Sequence, residues 1–327
     1  LRDKKMAEEY NGLMVYSEDK DTLFELLSKA RELADLLRTE VFAVILGEKV
    51  EADVLAAYGA DRVYIVEKPE LKGLFAEACA QALHSVISQV KPEAFFAGAT
   101  KRGKELAPRV AEMLGTGCVA ECVAIDIKNQ ELKMKRVVFG GKVISTHTIT
   151  AKPAIATIPP RVFNKKRLEC RTAEIVKVEA EISPPMVEII EVKPKEVLER
   201  KIEEAAILIC GGRGVKQKED FKLLDELAYV LGGVIGCSRP IAADRGWFSE
   251  WVGLSGKKVR PDLYITAGVS GAIQHVAGIR GSRIVVSINK DPEAPIFAYS
   301  DYGIVGDLYK VVPALTEALR ETIKSKK

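Results

Sequence analysis

The chain has 327 residues, 47% hydrophobic and 29% charged, with 49 Lys and Arg against 46 Asp and Glu for a net charge of +3. That length suits two domains, and the charges are interspersed, with no basic block long enough to make nucleic acid the main partner. No stretch approaches the roughly 20 apolar residues of a membrane helix, and "LRDKKMAEEY" lacks the apolar centre of a signal peptide, so a cytoplasmic chain with no membrane insertion is expected.

From the amino terminus, short apolar strands alternate with amphipathic helices: "GLMVYS" then "TLFELLSKARELADLLR", "VFAVILG" then "EADVLAAYG", "RVYIVE" then "LFAEACAQALHSVISQV", "AFFAGA" then "GKELAPRVAEMLG". Such alternation builds an α/β domain, a mostly parallel sheet with flanking helices and right-handed crossovers. From about Val119 the pattern changes to strands alone, "VAIDI", "LKMKRVVFGGKVISTHTI" and "AIATIPPRVF". "FGGK" reads as a hairpin turn and Pro159-Pro160 bars a central strand, so these strands are expected to extend or edge the same sheet. The basic run "FNKKRLECR" (163–171) reads as a solvated loop, and the segment 181–202, with Pro184, Pro185 and Pro194 among charges, as a linker. The expected division is a first domain over 1–183, a linker over 184–200 and a second domain over 201–327.

The second half restarts the strand–helix pattern with "AAILICGGRG" and "EDFKLLDELAYVLG", then "GVIGCSRP", "DLYITAGVSG", "RIVVSINKD" and "YGIVGD", and closes on an amphipathic helix near "LYKVVPALTEALRETIK". Here nearly every strand ends in glycine or polar residues: Gly211-Gly212-Arg213-Gly214, Ser238-Arg239, Gly268 to Gly271, Asn289-Lys290-Asp291 and Gly306-Asp307. Ligands of open parallel sheets bind beyond the carboxyl ends of strands, so these ends converge on one crevice. The first half has only "GATKRGKEL" (98–106) of that kind, which assigns the main site to the second half.

In "GVSGAIQHVAG" (268–278) a strand hands over to a helix, whose first turn offers unpaired N–H groups to an anion. The crevice matches a nucleotide, with N–H groups and Ser270 for a pyrophosphate and Asp307 for a ribose hydroxyl. "GGRGVK" is neither the G-x-G-x-x-G nor the P-loop pattern. No Ser-His-Asp set, carboxylate pair or metal cluster accompanies it, so a binding or redox cofactor site fits better than hydrolysis. The six cysteines form no C-x-x-C pair and read as reduced thiols, Cys118 and Cys122 make a poor metal site, and His84 and His147 read as structural.

"CGGRG", "CSRP", "GLSGKKVRPDLYITAGVSGAIQHVAGIRGSRIVVSINKDPEAPIF" and "DYGIVGDLYKVVPALTEAL" closely resemble the α subunit of electron transfer flavoproteins over roughly 203–319. "YGADRVYIVE", "GATKRGKELAPRVAEMLG" and "FGGKVISTHT" follow that family's amino-terminal domain. The resemblance implies FAD held by a Rossmann-like second domain, at the interface with a β subunit. It places Arg213 and Ser238 near the cofactor, Arg239 against the isoalloxazine, and Val252, Gly253, Leu254 and Ser255 along the flavin edge. Ser270, Gly271, Ala272, Ile273, Gln274 and His275 would meet the pyrophosphate and ring region, His275 near the pyrimidine carbonyl, and Asn289 and Asp307 the adenosine side. Where many members carry Gln-Thr after "VG", this chain has Leu254-Ser255, of which only Ser255 can hydrogen-bond through its side chain.

Two roles are compatible with the resemblance. In one, the heterodimer relays single electrons between flavoprotein dehydrogenases and a quinone-linked acceptor. In the other, the chain is the α subunit of an electron-bifurcating complex that oxidises NADH and reduces ferredoxin plus a high-potential acceptor such as quinone or enoyl-CoA. The difference lies mainly in the β subunit. A regulatory nucleotide-binding protein without redox chemistry fits less well, because Arg239, Ser255 and His275 are retained. The resemblance further implies a first domain that forms the base shared with the β subunit and membrane contact only through partner subunits, and the proline- and charge-rich stretch near 184–200 suggests a second domain mobile on its linker.

Overall fold

The computed structural model describes residues 10–47, 52–71, 75–169, 171–184, 187, 190–191 and 202–325. The chain divides into two compact units, one of Leu1–Val138 with Lys142–Lys193 and one of Pro194–Lys327 with Phe139–Gly141. Most of the stretch 184–200, read as a linker, lies outside the described residues, as does Cys170.

In the first unit, β1 (Leu13–Tyr16), α1 (Lys20–Leu37), β2 (Val41–Leu46), α2 (Ala52–Ala56), β3 (Arg62–Val66), α3 (Ala76–Val90), β4 (Ala94–Gly98) and α4 (Gly103–Met113) follow the expected alternation. After them come β5 (Cys118–Val119), β6 (Cys122–Lys128), β7 (Glu131–Val138), β8 (Val143–His147), β9 (Ala154–Ile158) and β10 (Glu174–Lys177). Seven strands form one sheet in the order β10-β3-β2-β1-β4-β9-β5, every neighbouring pair parallel. The central strands are unbroken apolar runs because both faces are covered: on β1, Leu13 and Val15 pack with α1, while Met14 and Tyr16 face α3 and α4. Asp19 starts α1 by accepting the N–H of Thr22 at 2.8 Å.

The strand order reverses between β1 and β4, the position where such sheets bind ligands. Here the chain's own side chains fill it. Thr100 Oγ1 donates to Glu18 at 2.6 Å and accepts the N–H of Gly103 at 2.9 Å, and a Cβ on Gly103 would stand 1.9 Å from the Gly98 carbonyl oxygen.

Two expectations need correction, and one strand was missed. The strands after Val119 do not all join the first sheet: β5 and β9 do, but β6, β7 and β8 form a separate antiparallel sheet. Its residues alternate, with Ile125, Leu132 and Met134 buried and Lys133 and Lys135 paired outside with Glu131 and Asp126. A sheet wetted on one face cannot supply a strand covered on both. The basic run at 163–171 is partly docked, since Lys165 pairs with Asp21, Arg171 with Asp61, and the Lys166 N–H donates to Ser28 Oγ at 2.9 Å. Finally, β10, which the sequence reading passed over, adds an edge strand beside β3, with Glu174 paired to Arg62 at 3.1 Å.

The second unit contains β11 (Ile207–Gly211), α5 (Phe221–Leu231), β12 (Val234–Cys237), β13 (Leu263–Ala267), α6 (Ile273–Ile279), β14 (Ile284–Asn289), β15 (Tyr302–Val305) and α7 (Leu308–Ser325). Its five strands, ordered β12-β11-β13-β14-β15, are all parallel. Leu224, Leu227 and Val312 of α5 and α7 pack with Ile209, Ile265 and Ile288 in one core, and Val276 and Ile279 of α6 with Leu208, Cys210 and Tyr264 in another.

Among the described residues no helix is long and apolar enough to cross a membrane, and no group of three or more His, Cys, Asp or Glu could hold a metal ion. Cys79, Cys118, Cys122, Cys210 and Cys237 are free thiols. Burial pushes Cys118 up to about 11 and Cys122 and Cys237 up to about 12, so these three stay protonated near neutrality.

Candidate cofactor site

The strand order of the second unit reverses between β11 and β13, and beyond the carboxyl ends of its five strands lies a cleft of about 650 Å³. Glycines let the two central strand ends approach closely: Gly212 N–H donates to the Ala267 carbonyl at 2.9 Å and Gly214 N–H to the Gly268 carbonyl at 3.1 Å. A Cβ on Gly212 would fall 2.3 Å from the Gly268 oxygen. Arg213, between these glycines, is exposed and lines the cleft.

At the end of β12, buried Ser238 donates its N–H to the Gly211 carbonyl at 2.9 Å, and exposed Arg239 leads into a wide π-turn over Pro240–Asp244. Among the described residues no carboxylate pairs with Arg213 or Arg239. The next wall is a clamped loop. Val252 N–H bonds the Cys237 carbonyl at 2.9 Å, Gly253 N–H the Lys257 carbonyl at 3.0 Å, and Leu254 N–H the Gln274 carbonyl at 2.7 Å. The loop brings Val252, Gly253, Leu254 and Ser255 to the cleft.

Beyond β13, Ser270, Ala272, Gln274 and His275 line the cleft, but Gly271 and Ile273 do not. Gly271 sits behind the wall at φ +89°, where a Cβ would meet the Ile296 nitrogen at 2.2 Å, and Ile273 is 58% exposed. Asn289 lines the cleft, yet its amide donates to the Val269 carbonyl at 2.8 Å and its oxygen accepts the Asp291 N–H at 3.1 Å, which ties β14 to the loop after β13. Asp307 opens α7, its Oδ1 accepting the Tyr309 N–H at 3.0 Å while the carboxylate stays exposed.

Lys216, Trp251, Lys290, Asp291 and Tyr309 also line the cleft and were not among the sequence candidates. Lys290 and Asp291 stand in the polar strand end "INKD", so their signal was present. Lys216 and Tyr309 are joined only by the fold: the Lys216 N–H donates to the Tyr309 hydroxyl at 2.8 Å, and that hydroxyl donates to Asp220.

His275, 7% exposed, lines the cleft with Nε2 at 3.0 Å from the Tyr264 hydroxyl. Burial lowers its pKa to about 4, only partly opposed by the Val252 carbonyl, so the ring is neutral at ordinary pH. Among the described residues its Nδ1 has no hydrogen-bond partner. A buried polar atom left so costs about 1–3 kcal/mol unless something in the cleft bonds it. Together with Arg213 and Arg239, which pair with no carboxylate among the described residues, this suits an anionic ligand that also carries a polar group.

Fold and cleft thus define an α/β nucleotide-binding domain of doubly wound type, joined in one chain to a second parallel-sheet unit. Comparison with known families gives its class: residues 15–183 match the electron transfer flavoprotein domain and residues 201–280 the electron transfer flavoprotein FAD-binding domain. The chain belongs to the electron transfer flavoproteins, as an α subunit, and its second unit carries the FAD-binding domain. It is 40% identical to the electron transfer flavoprotein subunit alpha of Thermoanaerobacterium thermosaccharolyticum, with 96% of each chain covered. It is 39% identical to the corresponding subunit of Megasphaera elsdenii over 96% of this chain and 97% of the relative. Identity is 37% to the lactate dehydrogenase (NAD(+),ferredoxin) subunit LctC of Acetobacterium woodii, over 94% of this chain and 76% of the relative.

Proposed function

We propose that this chain, paired with an electron transfer flavoprotein β subunit, relays single electrons between flavoprotein dehydrogenases and a quinone-linked acceptor. Bound FAD supplies the one-electron chemistry. The observation that carries the reading is the cleft itself: Arg213 and Arg239 at adjacent strand ends, with no carboxylate partner among the described residues, and His275 in one wall, its Nδ1 without a hydrogen-bond partner among them. The chain's part is to bind, orient and bias. Arg213, Ser238 and Ser270 hold the phosphates, and the exposed carboxylate of Asp307 takes a ribose hydroxyl. Asn289 keeps the strand ends in register at the adenosine side. Arg239 places a positive charge where the ring gains electron density, Ser255 offers a hydroxyl to the ring edge, and neutral His275 offers an N–H to a ring carbonyl. Val252, Gly253 and Leu254 set the loop's path, while Ala272 and Gln274 border the ring, with Gly271 and Ile273 acting from outside the cleft through the turn.

A second reading, the α subunit of a bifurcating complex that takes electrons from NADH and delivers them to ferredoxin and a high-potential acceptor, is favoured by the likeness to the LctC subunit. Flavin content of the heterodimer and anaerobic titration with NADH separate the two. One FAD with no reduction by NADH is the outcome expected for the relay; two FAD and direct reduction by NADH would replace it with the bifurcating role.

A further inference from the structure

Behind the cleft wall, three side chains from separate elements meet on the sheet face covered by α6. The register pairs Leu208 with Tyr264 and Cys210 with Thr266, which puts Cys210 and Tyr264 on adjacent strands and the same face. Both are 0% exposed, so the Tyr264 hydroxyl is shut away from water. That hydroxyl in turn lies 3.0 Å from Nε2 of His275, whose Nδ1 is the unpartnered atom.

We propose that Tyr264 is a positioning residue for the cofactor: its hydroxyl donates to Nε2 of His275, so the one ring proton sits on Nδ1, the nitrogen offered to the ligand. The proposal rests on the reading of the cleft as the FAD site. A phenol has one proton to give, and here it can go to an imidazole nitrogen or to a thiol sulfur. The nitrogen is a strong acceptor and the sulfur a weak one, so the phenol proton goes to His275. The opposite polarity would leave a bare lone pair at Nδ1, facing a ligand carbonyl that is itself an acceptor.

The protonation states sustain this order. Burial raises the Tyr264 and Cys210 pKa values far above their usual ranges, so both keep their protons, and it keeps His275 neutral, with a single ring proton to place. Tyr264 does not line the cleft, and therefore acts only through His275.

The chain has three histidines, so proton–nitrogen correlation NMR of the histidine-labelled full chain with its β subunit gives a simple spectrum, assigned through His275→Gln. In the wild type the proton is expected on Nδ1 of His275; a proton on Nε2 overturns the proposal. This measurement needs no variant. Tyr264→Phe keeps the ring volume and removes the hydroxyl: without FAD it is expected to populate both tautomers, and to bind FAD about tenfold more weakly, the scale of one lost hydrogen bond. In a His275→Ala background the same change should add little further loss. A folded Tyr264→Phe chain held wholly in the Nδ1–H form overturns the proposal. If FAD leaves the His275 resonances unmoved, the cleft is not the flavin site and the proposal falls with that reading. FAD-induced shifts with the proton on Nε2 overturn the proposal alone.

Discussion

Two buried titratable groups, one in each unit, shift in ways that act oppositely on stability. Glu25, 7% exposed on α1, accepts the Arg161 N–H at 2.7 Å, but burial outweighs that bond and the nearby Lys165 and pushes its pKa up to about 7. The folded chain therefore holds a proton that the unfolded chain releases near 4.5. Its stabilising contribution is complete below that value and is lost as pH rises through about 7. Glu25→Gln, which keeps an acceptor for Arg161, should raise stability at pH 8 by about 1–2 kcal/mol and flatten this slope. For His275 the folded pKa is the lower one, about 4 against 6.5, so its contribution is present above 6.5 and lost as pH falls toward 4. His275→Gln should remove that acid-side loss. Denaturant unfolding of each variant across this range checks both; an unchanged slope in either would show that the group titrates alike in the folded and unfolded chain.

At the level of elements, glycines at the end of β11 decide how close the strand end and the loop after β13 can come. Gly212→Ala puts a methyl 2.3 Å from the Gly268 carbonyl oxygen, a backbone atom that cannot swing aside. Relief requires separating the strand ends, so the variant should lose about 1–3 kcal/mol of stability and retain FAD poorly; full retention after purification would mean that the closure does not shape the site. These strand ends were legible in the sequence because each apolar run stops at glycine or polar residues. The separate sheet of β6 to β8 was less so, although the alternation of Leu132 and Met134 with Lys133 and Lys135 carried it. Contacts that only the fold creates left no local signal. Tyr264 reads as one more apolar strand residue until His275 is packed against it, and Lys216 and Tyr309 lie 93 residues apart. The stretch 184–200 stays a reading from composition, since most of it lies outside the described residues.

Across the whole molecule, the two parallel sheets have different strand orders, each reverses once, and they differ in what stands at that reversal point. The first is filled by the chain's own Glu18–Thr100–Gly103 hydrogen bonds, while the second opens on the cleft with its arginines and imidazole nitrogen, unpaired among the described residues. On this account the first unit is scaffold, and the electron relay is set by a few side chains of the second. Arg239 is the sharpest case, an exposed cation that the proposed function sets beside a ring gaining negative charge. Each tenfold bias toward the reduced form raises a one-electron potential by about 59 mV. The most direct test is a reductive titration of the purified heterodimer carrying Arg239→Ala beside the wild type, with bound FAD quantified in both. The account predicts that FAD is retained and its first-electron potential falls by roughly 60–120 mV. An unchanged potential with FAD still bound would contradict it, because the cation it assigns to the ring would then stand elsewhere.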